Sequence, residues 1–358
     1  MINKGVAVIT GLYGQDASYL AKYLLDKNYK VVGFSRRSGS SEHWRHKVLK
    51  IEGHPNLSNM DVDITEYHNV LNAVDQIKPE MIFNLCAMSF VATSFSQPFL
   101  TNNTNYIGVL NLIDAIKMKS PDTKLYQAST SEMFGDVLET PQNENTPFNP
   151  VSPYGISKLA SHFAIKNARK SDNLFACSGI LFNHTGPLRG EEFVSRKITK
   201  GIANIYKNYI NGTKINCIEL GNIYSLRDWG HSKDYCEAMF VMLQQDKPDD
   251  FVISTGETHT IKEFINEAFG ILSEKIPGYK IEWFNENQGI KEYAVDNNDS
   301  IVIKINEKFF RPNEVNLLIG DSYKAKEKLG WIPQIKFKEL VKEMVEADIV
   351  RIDFQRFV

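Results

Sequence analysis

Cysteine is scarce in this chain, four among 358 residues, and Cys86, Cys177, Cys217 and Cys236 are scattered, mostly in apolar runs. None has the close spacing of a metal-ligand set, and buried free thiols are the expected state. The eight histidines form no His-Glu-x-x-His or comparable cluster, so metal chemistry is not expected. Net charge is small as well. The balance of −2 removes the electrostatic case for nucleic acid or an anionic membrane as partner. Internal repeats and low-complexity segments are absent. The apolar run Val6-Ala7-Val8-Ile9 is broken by glycines and Asp16 too early for a signal or membrane segment, and a cytoplasmic protein is the expectation.

What is present is the mixture of an ordinary globular chain, 42% hydrophobic and 23% charged, long enough for one large α/β domain and a smaller one. Val6-Ala7-Val8-Ile9-Thr10 reads as a buried central strand. Gly11-Leu12-Tyr13-Gly14-Gln15-Asp16-Ala17 leads it into a helical pattern of Tyr19, Leu20, Tyr23 and Leu24. Strand, glycine turn and helix make the phosphate-binding start of a dinucleotide fold, where N–H groups at a helix N-terminus meet a pyrophosphate. Gly11, Gly14, Gln15 and Asp16 are the first cofactor candidates.

The next strand, Lys30-Val31-Val32-Gly33-Phe34, ends in Ser35-Arg36-Arg37-Ser38. An acid there takes the ribose 2′-hydroxyl of NAD, whereas arginines suit the extra 2′-phosphate of NADP, so NADP is the expected cofactor. A strand at 57–64 carries Asp63, placed to hold the adenine edge, and a helix over Tyr67–Ile77 stops at Lys78-Pro79. Residues 81–87 form another buried strand, with its exit Met88-Ser89 near the nicotinamide, and a helix spans 105–118.

Two clusters of reactive side chains come next. Lys124-Leu125-Tyr126-Gln127-Ala128 reads as a short strand, and Ser129-Thr130-Ser131-Glu132 emerges at its C-terminal edge, where open α/β sheets bind ligands. A proline- and asparagine-rich loop, 140–150, reads as an ordered cover over the site. Then Ser152-Pro153-Tyr154-Gly155-Ile156-Ser157-Lys158 opens a helix over 153–171, and its spacing puts Tyr154 and Lys158 on one face. An ammonium beside a phenol favours the phenolate, which makes Tyr154 the candidate base for a substrate hydroxyl. Tyr23 and Lys27 share this spacing on what reads as a surface helix, so the pair takes its meaning from its neighbours.

Beyond a strand at 174–181 and the turn-rich exit Phe182-Asn183-His184-Thr185-Gly186-Pro187-Leu188-Arg189-Gly190, strict alternation fades. A helix over 193–209 carries Arg196 and Lys197, a short strand spans 217–221, and 225–231 reads as a polar loop before a helix from Ser232. The expected class is α/β: a Rossmann-type doubly wound parallel sheet over 1–182, to which later segments (about 222–256) return. Residues 183–358 are expected to form mainly a smaller, discontinuous C-terminal substrate domain.

From Gly11 to about Asp348 the chain resembles the extended short-chain dehydrogenase/reductase superfamily and, more narrowly, the GDP-mannose 4,6-dehydratases. The matching parts are Gly14-Gln15-Asp16 with Ser18-Tyr19-Leu20, Arg36-Arg37-Ser38, Ser129-Thr130-Ser131-Glu132, Ser152-Pro153-Tyr154, Arg196-Lys197-Ile198, Arg227-Asp228-Trp229-Gly230-His231 and Phe310-Arg311-Pro312 followed by Glu314-Val315. The resemblance implies tightly held NADP and an internal oxidation, elimination and reduction on a GDP-linked sugar. In that scheme Tyr154, with Lys158 and Thr130, deprotonates the C4 hydroxyl while hydride leaves C4 for the nicotinamide. Glu132 removes the C5 proton, water leaves C6 with a proton from Glu132 or Ser131, and the hydride returns to C6.

The resemblance also carries Ile64, Leu85, Ala87, His184 and Arg189 to the cofactor, and Ser89, Asn183, Lys197, Arg227, Arg311 and Glu314 to the GDP-sugar. Arginines suit diphosphate oxygens, and a carboxylate accepts from the guanine N–H edge. It implies a homodimer or homotetramer, with the 37–44 loop against a neighbour. Two stretches depart from the family pattern. Asn183-His184-Thr185-Gly186-Pro187-Leu188-Arg189-Gly190 stands for the common Asn-His-Glu-Ser-Pro-Arg-Arg-Gly, and Ala87-Met88-Ser89-Phe90-Val91 for Ala-Gln-Ser-His-Val. Both make strand exits expected to face cofactor or sugar less polar, which leaves GDP-D-glycero-D-manno-heptose open as the substrate. An epimerase or reductase of the same fold needs the tyrosine and lysine but no C5 base. A non-catalytic nucleotide-sugar-binding subunit needs none of Thr130, Glu132, Tyr154 and Lys158.

Overall fold

The computed structural model describes residues 4–36, 43–310, 315 and 317–354. Arg37, Ser38, Arg311, Glu314 and most of the 37–44 loop lie outside the described residues. Backbone packing divides the chain into two compact units. The first comprises Met1–Phe182, Ser232–Gly256 and Ile319–Pro333; the second comprises Asn183–His231, Glu257–Leu318 and Gln334–Val358.

The first unit is built on a parallel sheet of β1 (Val6–Thr10), β2 (Lys30–Ser35), β3 (Leu57–Asp61), β4 (Met81–Asn84), β5 (Lys124–Thr130), β6 (Ala176–Leu181) and an edge strand, Asp250–Ile253. From the edge strand inwards the order is β6, β5, β4, β1, β2, β3. Sheet growth reverses between β1 and β4, which opens the crevice where doubly wound sheets bind ligands. Ala7, Val8 and Ile9 are fully buried because helices cover both faces of a central parallel strand. The helix α1 (Gln15–Asp26) buries Ala17, Leu20, Ala21 and Leu24, the recurrence of a core-facing stripe. Leu20 and Leu24 each contribute about 1.5–3 kcal/mol by leaving water.

Several expectations are corrected by packing. Residues 222–231 belong to the second unit, and the chain returns to the first at 319–333 as well as at 232–256. Trp331 fixes the later return: it is buried against Tyr235 and its indole N–H donates to the Asp234 carbonyl at 2.8 Å. The helix expected over 105–118 begins earlier, as Pro98–Asn102, passes through a π-helical turn Asn103–Ile107 and continues as Gly108–Lys119. Cys217 is exposed and Cys86 half-buried, while Cys177 and Cys236 are buried, and all four are free thiols.

In the second unit the stretch read as a polar loop is the strand Leu226–His231. It pairs with Asn183–Thr185 and Leu317–Leu318 in parallel and with Thr258–Thr260 antiparallel. Its side chains are buried because tertiary partners meet them: His231 lies 3.1 Å from Glu343, and Trp229 packs against Phe264 and Phe337. A second sheet joins Ile281–Phe284, Tyr293–Asp296, Ile301–Ile305 and Ile218–Leu220. The helices Val194–Ile210, Ile261–Lys275 and Phe337–Phe354 supply Ile198, Ile202, Phe264, Leu340 and Met344 to this unit's core. Among the described residues no helix is long and apolar enough to cross a membrane.

Candidate active site

The glycine turn after β1 is shaped by backbone rather than side chains. Gly11 has φ +70, and a Cβ there would lie 3.2 Å from Cys86 Cα, so the β1 and β4 exits approach closely only with glycine. Gly14 caps α1 without a side-chain hydrogen bond, so no side chain at the cap occupies the start of the helix. A dinucleotide's pyrophosphate fits this cradle. Arg36, at the end of β2, is largely exposed and lies 4.0 Å from Asp63. One Asp63 oxygen accepts from the Thr65 N–H and hydroxyl at 2.9 and 2.8 Å. Ile64 is buried, Leu85 and Ala87 are half-buried at the β4 exit, and Ser89 is exposed.

The second reactive cluster sits on the helix Pro153–Ser171. Ser152 caps it, its hydroxyl accepting from the Gly155 N–H at 3.0 Å, and Pro153 occupies the first turn, where its missing N–H is harmless. Tyr154 and Lys158, one turn apart, are both buried, with 8% and 3% exposure. Lys158 Nζ donates to the Ala128 carbonyl at 2.8 Å. Burial lowers its pKa to about 8, while Cys86 pulls the other way. Burial thus disfavours the charged form of this side chain, although the ammonium still predominates at neutral pH.

The first cluster is folded against the start of this helix. Thr130 ends β5, its hydroxyl accepting from the Glu132 N–H at 3.2 Å, and Ser131–Met133 forms a 3-10 turn. Thr130, Ser131 and Glu132 are all buried. A Cβ on Gly155 would fall 2.6 Å from the Glu132 carbonyl oxygen, so the glycine lets the carboxylate-bearing turn rest on the start of the Pro153–Ser171 helix. The comparison pair, Tyr23 and Lys27, is different: Lys27 Nζ sits 4.6 Å over the Tyr23 ring, and burial with Glu237 nearby pushes the phenol up to about 12.

The chain matches the GDP-mannose 4,6 dehydratase family over residues 8–344. It is 44% identical over 357 residues to the GDP-mannose 4,6 dehydratase of Drosophila melanogaster, covering 96% of this chain and 86% of that protein. It is 43% identical over 354 residues to the Homo sapiens protein of that name, covering 97% and 92%. This chain belongs to the GDP-mannose 4,6-dehydratase family. In fold it resembles the dTDP-glucose 4,6-dehydratase of Bacillus anthracis, solved in complex with NAD, with a TM-score of 0.76 at 22% identity over 98% of each chain.

Of the residues that the family resemblance assigns to the nucleotide sugar, Ser89 lies in the first unit, and Asn183, Lys197 and Arg227 lie in the second. Asn183 opens the strand Asn183–Thr185 opposite Trp229, and its Oδ1 is buried with no hydrogen-bond partner among the described residues. Arg227, two residues before Trp229, is buried and donates to the Leu226 carbonyl. Lys197 Nζ lies 3.3 Å from the centre of the Phe309 ring, its pKa lowered by burial and by Lys308. His184 is half-buried, and Arg189 stacks on Phe193 at 3.6 Å. At the departures from the family pattern, Thr185 and Leu188 are buried, and the Thr185 hydroxyl pairs with Ser195 Oγ at 2.8 Å.

The expectations passed over the polar residues inside apolar stretches. Asn105, in the π-helical turn, holds the Met88 N–H at 2.8 Å and donates to Ser157 Oγ at 3.0 Å, tying the β4 exit to the Pro153–Ser171 helix. Asn84 and Gln127 stand in buried strands. A polar residue in such a strand must be satisfied from within, and that was the available signal.

Proposed function

We propose that this chain is a GDP-sugar 4,6-dehydratase using NADP, which converts GDP-D-mannose or a close relative to the GDP-4-keto-6-deoxy sugar. The observation that carries the reading is the union in one unit of Tyr154, Lys158 and the Glu132 turn with the Gly11 cradle, supported by membership of the dehydratase family. Gly11, Gly14, Gln15 and Asp16 would hold the pyrophosphate, and Arg36 supports a 2′-phosphate. A nicotinamide bound there supplies reversible hydride storage.

The chain's own groups handle the protons. Tyr154, as phenolate beside the Lys158 ammonium, takes the proton from the sugar O4 hydroxyl, and Thr130 shares that hydrogen bond. The resulting C4 ketone acidifies C5–H, which Glu132 removes. The C6 hydroxyl departs as water with the proton that Glu132 took from C5, passed directly or relayed through Ser131, and as C6 is reduced C5 takes a proton from solvent while Tyr154 releases its own. An epimerase or reductase has no need of Glu132 in this place. For the nucleotide, Lys197, Arg227 and the buried Asn183 oxygen offer two cations and an acceptor. A homo-oligomer is supported by Phe99 (90% exposed), Leu110, Ile156 and Phe163, apolar residues left open on adjoining helices of the first unit. A cytoplasmic location agrees with this chemistry.

The test is GDP-mannose in deuterated water, with the product sampled at short times by mass spectrometry and NMR. A 4-keto-6-deoxy product with one deuterium at C5 is expected, and turnover without C5 label overturns the reading. Tyr154→Phe should lose at least about 1,000-fold in turnover while retaining GDP binding.

A further inference from the structure

Beneath the reacting side chains a line of buried hydrogen bonds crosses three strand ends. The N–H groups of Leu85 and Cys86 donate to Thr10 Oγ1 at 3.0 and 2.9 Å. Thr10 Oγ1 donates to Asn84 Oδ1 at 2.6 Å, and Asn84 Nδ2 to Gln127 Oε1 at 2.7 Å. Gln127 Nε2 donates to the Ala128 carbonyl at 3.0 Å, the same oxygen that accepts from Lys158 Nζ at 2.8 Å. Thr10, Asn84 and Gln127 are at most 1% exposed, and they are direct register partners across β1, β4 and β5.

Two features separate this row from ordinary sheet packing. The strands are already joined by their backbone ladders, so apolar residues would fill the same row without the cost of satisfying buried amides. Direction is the second feature. Each side chain accepts on one side and donates on the other, so neither amide can flip: a reversed Gln127 would set its oxygen against the Ala128 carbonyl and its NH2 against that of Asn84. The Ala128 carbonyl is thereby pinned by Gln127, takes one of the three ammonium donors of Lys158, and fixes the directions of the other two.

We propose that Thr10, Asn84 and Gln127 form a positioning relay for the Lys158 ammonium, with Gln127 acting through the Ala128 carbonyl, so that the glycine turn, the β4 exit and the catalytic lysine are set as one piece. The inference rests on the reading of Tyr154 and Lys158 as the proton-handling pair.

The experiment uses the full chain and GDP-mannose, with Gln127→Met, Gln127→Glu, Thr10→Val and Thr10→Ser. It reads kcat, KM, the pH profile of kcat, and the titration of the Lys158 13Cε resonance, assigned by its loss in Lys158→Met. Gln127→Met is expected to lower kcat about 10- to 100-fold with KM within about three-fold, and to move both the pH limb of kcat and the Lys158 midpoint by about one unit. Gln127→Glu raises the Lys158 midpoint by adding a carboxylate near it. Thr10→Val follows Gln127→Met, and Thr10→Ser returns to parental behaviour because the hydroxyl is restored. A Lys158 midpoint and pH limb unchanged in every folded variant overturn the relay. If Gln127→Met does not fold, Gln127→Glu and the Thr10 pair decide by the same two readouts. Full turnover by Tyr154→Phe would instead strike the underlying reading, which keeps the two failures apart.

Discussion

Lys158 shows how a cationic side chain can be buried at a cost to stability. Its ammonium is buried and donates to the Ala128 carbonyl, and desolvation lowers its pKa from 10.5 to about 8. Because the folded pKa lies below the unfolded one, the unfolded chain binds more protons between those values, and this residue's contribution to stability rises with pH through that window. Below about pH 8 its destabilising effect is full. Lys158→Met should therefore be more stable than the parent at neutral pH, on the order of 3 kcal/mol, and the difference should vanish above about pH 10.5. Equilibrium denaturation of both proteins from pH 6 to about 11 measures this, and a pH-independent difference would contradict it. Tyr154 and Lys158 were legible as a pair from spacing, whereas the contrast with Tyr23 and Lys27 was not. Only tertiary neighbours put a carbonyl under one lysine and Glu237 beside the other tyrosine.

Among elements, the junction between the Ser131–Met133 turn and the Pro153–Ser171 helix bears most directly on the chemistry. Alanine at Gly155 would ordinarily favour a helix by roughly 1 kcal/mol. Here its Cβ would meet the Glu132 carbonyl at 2.6 Å and Pro150 Cβ at 3.1 Å, and overpacking against backbone costs about 1–3 kcal/mol. The clash wins. Gly155→Ala should lower the urea midpoint and reduce turnover about ten-fold or more by displacing the Glu132 turn, with GDP binding preserved. Strand, glycine turn and helix at the N-terminus were readable because each rests on local chemistry: β-branched burial, a positive φ and a backbone-lined helix start. The strand Leu226–His231 was not. Arg227, Asp228 and His231 carry the polarity of a loop, and their burial depends on strands and helices remote in sequence.

Over the whole molecule, chain order and spatial order diverge. The first unit takes its edge strand, Asp250–Ile253, and the 319–333 return from segments beyond the start of the second. Trp331 closes that return, so Trp331→Ala should cost about 3–5 kcal/mol and lower cofactor-site integrity although it lies far along the chain from Tyr154. Urea unfolding followed by circular dichroism checks the size of the loss. The sequence by itself determined the strand, glycine turn and helix at the start, the alternation of strands and helices up to residue 182, the spacing that sets Tyr154 and Lys158 one helical turn apart, and the family, because these depend on periodicity, turn chemistry and short motifs. Tertiary structure decided which segments return to which unit, that polar residues 226–231 form a buried strand, and that Thr10, Asn84 and Gln127 line up beneath Lys158. Those outcomes follow from strand register and burial, which bring together side chains dozens of residues apart and which no local pattern encodes.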